Sequence, residues 1–219
     1  MIIRQIKTNH LISQLNIYQI SFFIIVFFLL TIIGTLSHEI AHYIVAKHLG
    51  LYPILHYGNV TFGNQIQLLH FDDELNRRFF LCSIAGPLQT IITGLIGFTI
   101  LIVRNRVRIK TFSKIDFIAT FLSLFWLREC FNLITIIISS IFNKTAALNG
   151  DEIYISNYLG FNPFFFNLTL GIMGAIICFV TVFKLLPTKY RLNIIIGSLF
   201  GTCIGFVIWF YFLGKIVLP

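Results

Sequence analysis

From Thr8 to His38 the chain carries no Asp, Glu, Lys or Arg, a run of 31 residues, and the run ends in His38-Glu39-Ile40-Ala41-His42. An uncharged stretch of that length exceeds the roughly 20 apolar residues a helix needs to cross a bilayer. In hydrocarbon the backbone must satisfy its own hydrogen bonds, which leaves a helix as the solution for an isolated segment. On that helix His38 and His42 are four residues apart, so both imidazoles project from one face and can reach one Zn²⁺. Glu39 stands beside them, placed to take a proton from an attacking water. Ionisable groups inside a membrane are costly and usually functional, so the pattern points to peptide-bond hydrolysis in or beside the bilayer.

Composition agrees with a membrane setting. Of 219 residues, 57% are hydrophobic and 11% charged, with a mean hydropathy of +0.89; soluble domains carry about 25% charged residues. One compact helical bundle is expected over 1–219, with no room for a large soluble domain. The net charge of +8 does not argue for nucleic acid, because the basic residues are spread over several loops and not gathered on one helix. Such loops set orientation and meet anionic headgroups. Cys82, Cys130, Cys178 and Cys203 are far apart and form no C-x-x-C pair, so neither a cysteine zinc site nor a disulfide framework is expected. The first apolar stretch is too long for a signal peptide and runs into the histidine motif instead of a cleavage site.

The sequence therefore predicts an all-α polytopic membrane protein with about five transmembrane helices and a short β-hairpin between the first two. Residues 1–16 read as an interfacial lead-in. The first span covers Ile17–Leu36 and continues as helix to His48, with Gly50 as its stop. Leu51–Phe71, rich in Tyr, Pro, Gly, Val and Thr, reads as extended chain and a hairpin. Phe79–Val103, Phe117–Phe142, Phe161–Val182 and Leu192–Leu213 follow as spans, the third interrupted by Arg128 and Glu129, with a polar loop over Asn143–Ser156. With the N-terminus in the cytoplasm, ten basic residues fall on the inner side against five outside, and that bias favours this orientation.

A catalytic zinc site needs a third protein ligand and an open position for water. The acidic candidates are Asp72, Asp73, Glu74, Asp116, Glu129, Asp151 and Glu152. Asp151 is the choice, since Asn149-Gly150 gives the backbone freedom to turn a carboxylate inward; otherwise Asp151 would cap a short helix starting at Glu152. Glu152 and Glu129 are the alternatives. His48, six residues after His42, matches the spacing of an extended zinc signature, but Val45 stands where that signature needs Gly, and a continuing helix carries His48 to another face. Arg128 and Glu129 are adjacent, so each needs its own partner; they either line a polar cavity or sit at the interface.

His38-Glu39-Ile40-Ala41-His42, continued by Ala46 and Gly50, resembles the first motif of the site-2 protease family of intramembrane zinc metalloproteases. Ala85-Gly86-Pro87-Leu88 is similar to that family's Ala-Gly-Pro motif on the next transmembrane helix. Asn132-Leu133 with the later Asp151 resembles its third region. The resemblance spans roughly Ile17 to Asp151. It implies His38, His42 and Asp151 as zinc ligands, Glu39 as general base, and membrane proteins or peptide precursors as substrates. Two departures stand out: Thr90 replaces the Asn that usually follows Gly-Pro, and Asn149-Gly150-Asp151 replaces Leu-Asp-Gly. The family's topology also places the zinc end of the motif helix nearer the cytoplasm, opposite to the charge bias. The expectation from sequence is thus a zinc metalloendopeptidase embedded in a bacterial cell membrane. The alternative is a metal-binding membrane module without catalysis, serving transport, immunity or processing; Glu39 argues against it, since a structural site has no use for a base.

Overall fold

A computed structural model describes residues 15–63, 73–106, 112–142 and 150–219. The lead-in at 1–14, the end of the hairpin region with Asp72, the basic residues Arg108 and Lys110, and Asn149 lie outside the described residues.

Helix α1 (Ile17–His48) begins at Asn16, whose side-chain oxygen accepts from the amides of Tyr18 and Gln19. It ends at Gly50, whose φ of 72° only glycine adopts without strain. There the Leu51 amide donates to Ala46 O and the Gly50 amide to Lys47 O, so the last carbonyls are satisfied by a left-handed turn. Strands β1 (Pro53–Leu55) and β2 (Val60–Phe62) then pair antiparallel, Ile54 opposite Thr61. Helix α2 (Asp73–Arg106) runs unbroken through Pro87. The predicted third span is two helices, α3 (Lys114–Ser123) and α4 (Leu127–Phe142), joined by a tight 3₁₀ turn at Leu124–Trp126. Trp126 in that turn is fully buried, and glycines make room for it: a Cβ at Gly94 of α2 would strike its indole.

The polar loop expected over Asn143–Ser156 is helical at its end, forming α5 (Asp151–Tyr158). Helix α6 (Phe165–Val180) closes with a π-helical turn at Thr181–Leu185, and α7 (Thr188–Ile208) continues through another at Trp209–Leu213 into α8 (Gly214–Val217). The fourth span thus starts four residues later than the sequence suggests, because Phe161–Phe164 form the turn that leaves α5.

Five of these helical segments are long and apolar enough to cross a membrane, as expected for an all-α polytopic membrane protein. Large side chains such as Ile25, Ile176, Leu199 and Phe200 point outward, where lipid costs them nothing. Small residues hold the inside together, as close helix approach requires. Gly197, Gly201 and Gly205 form a stripe on α7 against Phe23, Phe27 and Thr31 of α1. Asn193 at the head of α7 ties the start of α1, donating to Gln19 Oε1 at 2.8 Å and accepting from the Asn16 amide. Helix α1 is thereby gripped by α7 along one side and by α2 along another, and its histidine face turns to α2, α4 and α5.

Candidate metal centre

His38, Glu39 and His42 are all buried on α1, and Asp151 reaches them from the first turn of α5. Its Oδ2 lies 3.1 Å from Nε2 of His38 and 3.1 Å from Nε2 of His42. Gly150 makes this possible: its φ of 136° and ψ of 159° belong to a region open essentially to glycine alone, and the chain turns there so that the Asp151 carboxylate faces α1. Helix α5 begins at Asp151 itself, with Gly150 in the capping position, so Asp151 does not cap a helix starting at Glu152.

Both imidazoles are oriented through their other nitrogen. His42 Nδ1 is 2.7 Å from the Cys82 carbonyl oxygen and can only donate to it. The Thr90 hydroxyl donates to Gly86 O at 3.3 Å, leaving its oxygen to accept from His38 Nδ1 at 3.2 Å. With the proton on Nδ1 in each neutral ring, both Nε2 lone pairs face the Asp151 oxygen. Three lone-pair atoms around one point call for a cation. A proton shared in a hydrogen bond serves two of them; a metal ion serves all three.

The donor set fits zinc. Two imidazole nitrogens and one carboxylate oxygen are a usual set for a catalytic zinc, with a fourth position open. Tetrahedral bonds of about 2.0–2.1 Å put neighbouring ligand atoms about 3.3 Å apart, close to the 3.1 Å seen here. Among the described residues, these are the three that come together as a group able to hold a metal. Helix α2 leaves the space: a Cβ at Gly86 would lie far inside contact distance of Nε2 of both histidines. The open side is a cavity of about 590 Å³ that Glu39, Asp151, Arg128 and strand β2 border.

Glu39 does not join the three ligand atoms. Its Oε1 lies 3.9 Å from Nη2 of Arg128, on the cavity side. Glu152, the first alternative to Asp151, is turned away from the histidines. Its Oε1 accepts from Asn132 at 3.1 Å and its Oε2 from Asn167 at 3.4 Å, and burial, with the Asp151 charge added, pushes its carboxyl above the usual range. Glu129 is buried beside it. His48 is exposed beyond the site, Asp73 and Glu74 sit in the exposed first turn of α2, and Asp116 binds Arg104 and Ser113 instead. Sequence reasoning did not assign the Cys82 carbonyl or the Thr90 hydroxyl to the histidines. Thr90 had a signal, one turn beyond Gly86 on the same face of α2, whereas a backbone carbonyl leaves none.

Thr90→Val keeps the shape and removes the acceptor for His38 Nδ1. Loss of such a partner typically weakens a site 10–100-fold, so chelator competition is expected to show a drop of about that size without loss of fold. Glu152→Ala is expected to keep the metal. It leaves the Asn132 and Asn167 amides without their acceptor, which costs about 1–3 kcal/mol and lowers the thermal midpoint in detergent micelles.

Comparison of the chain with protein-family models, curated proteins and solved structures returns no match.

Proposed function

We propose that this chain is a zinc metallopeptidase of the membrane interior, as its resemblance to the site-2 proteases implies, and we place it in a bacterial cell membrane on its Ile-, Phe- and Asn-rich composition. The observation that carries the reading is the convergence of His38, His42 and Asp151 with Glu39 on the open side of the same pocket. A zinc ion held by the three ligands supplies Lewis acidity for the scissile carbonyl and lowers the pKa of water towards about 7.

The chain's own groups do the rest. Cys82 O and Thr90 Oγ1 keep the two histidines turned to the ligand position. Glu39 accepts the proton from the attacking water and delivers it to the leaving amine. Arg128 holds the Glu39 carboxylate on the cavity side. A substrate helix shields its own carbonyls, so the peptide must enter extended. Strand β2 borders the cavity and offers backbone groups for strand addition. Substrates of this geometry are membrane-anchored proteins and hydrophobic peptide precursors.

The test is a library of synthetic hydrophobic peptides in detergent micelles, incubated with zinc-loaded protein and read by mass spectrometry for new termini. Cleavage by the wild type that is absent with Glu39→Gln supports the reading. Zinc binding with no cleavage of any peptide favours the non-catalytic metal module instead.

A further inference from the structure

A second cavity of about 220 Å³ lies among α1, the 3₁₀ turn, α4 and α7, with a mostly apolar lining. Phe27 and Leu30 form one wall, Phe125 and Phe131 another, and Phe206 a third. Its position on α1 is telling. Gly34, which opens it, lies one helical turn before His38 on the stripe that carries both histidines. Two residues, Arg128 and Asn132, border this cavity and the metal-site cavity alike. They stand between the two spaces, and Arg128 lies 3.9 Å from Glu39.

One donor of Arg128 is unsatisfied. Its Nε is buried and has no hydrogen-bond partner, a cost of about 1–3 kcal/mol unless something else accepts from it. Arg128 lines both spaces, and a guanidinium beside the base suits an occupant that pairs a large apolar side chain with a backbone carbonyl.

We infer that this cavity is the specificity pocket of the site, taking a large aliphatic or aromatic side chain of an extended substrate next to the scissile bond, with Arg128 donating to that residue's carbonyl. The inference rests on the peptidase reading above and narrows it to substrates with such a residue at one fixed position. A lipid acyl chain would fill the same volume but sets no register for the cut.

The pocket can be filled by one substitution. A Cβ at Gly34 meets nothing closer than Phe125 at 3.8 Å, so Gly34→Leu adds its side chain to the cavity without a clash at the backbone. The peptide library described above is digested with the wild type, Gly34→Leu and, from the α7 wall, Thr202→Leu, each first checked for bound zinc as evidence of an intact fold. The wild type is expected to cut where one fixed position holds Phe, Leu or another large apolar residue. In the filled variants, cleavage of those peptides is expected to fall about tenfold or more relative to peptides with Ala or Gly there, the scale of discrimination an apolar pocket supplies. Arg128→Met is expected to lower cleavage of all peptides without changing the preferred residue. Cleavage by the wild type with no side-chain preference, or with a preference unmoved in both filled variants, overturns the inference, assigns the cavity to lipid and leaves the peptidase reading standing. Absence of any Glu39-dependent cleavage overturns both.

Discussion

Gly86→Ala is expected to remove zinc binding from a protein that still folds. The substitution adds one methyl group to a transmembrane helix and raises helix propensity by about 1 kcal/mol, so nothing local to α2 opposes it. The objection comes from α1. The new Cβ would press on Nε2 of both His38 and His42, the atoms that must face the metal, and the rings escape only by rotating away from Asp151 or by moving α1 off α2. Overpacking of this kind costs about 1–3 kcal/mol, which a bundle of this size tolerates, but the ligand geometry does not survive it. Zinc affinity is expected to fall by at least about 100-fold, the upper range for disturbing the groups that orient metal ligands. Gly94→Ala is the matched control: it presses on Trp126, away from the site, and is expected to lower the thermal midpoint while keeping the metal. Metal analysis and thermal unfolding of the two proteins, side by side, separate loss of the site from loss of the fold.

Glu39→Gln carries the second large effect, with the opposite signature. Glu39 lies outside the three-atom ligand group and faces Arg128 across the cavity. Glutamine has the same shape, cannot accept the proton, and leaves His38, His42 and Asp151 untouched. Zinc per chain is expected to equal that of the wild type, while peptide cleavage falls by a factor of about 10²–10⁴, the usual contribution of a positioned base. Loss of zinc in this variant would make Glu39 a ligand and overturn its assignment as base.

Much of the architecture was legible because it follows from length and charge. An uncharged run longer than a bilayer has one solution, and Gly50 after His48 ends it for a reason visible in the letters. The hairpin after it was readable from Pro, Tyr and Val around a Gly. What stayed hidden depends on contacts between distant segments. The long helices α1, α2 and α7 show little one-sided bias, so periodicity does not reveal which face packs, and the glycine stripe of α7 gains meaning only beside Phe23 and Phe27. The break at Leu124–Trp126 exists because Trp126 fits a hollow left by glycines on other helices. At the site, the two histidines and Glu39 announce themselves by spacing alone. Asp151 is more than a hundred residues away, with Glu152 beside it and Glu129 as further rivals, and only the turn at Gly150 decides which carboxylate faces α1.

Everything above turns on His38, His42 and Asp151 holding one metal ion together. Zinc per chain in protein purified without chelators, for the wild type, His38→Ala, Asp151→Ala, Glu152→Ala and Glu39→Gln, tests it most directly. One zinc is expected in the wild type, Glu152→Ala and Glu39→Gln, and none in His38→Ala or Asp151→Ala. Zinc retained in Asp151→Ala and lost in Glu152→Ala, or zinc absent from the wild type, would contradict it.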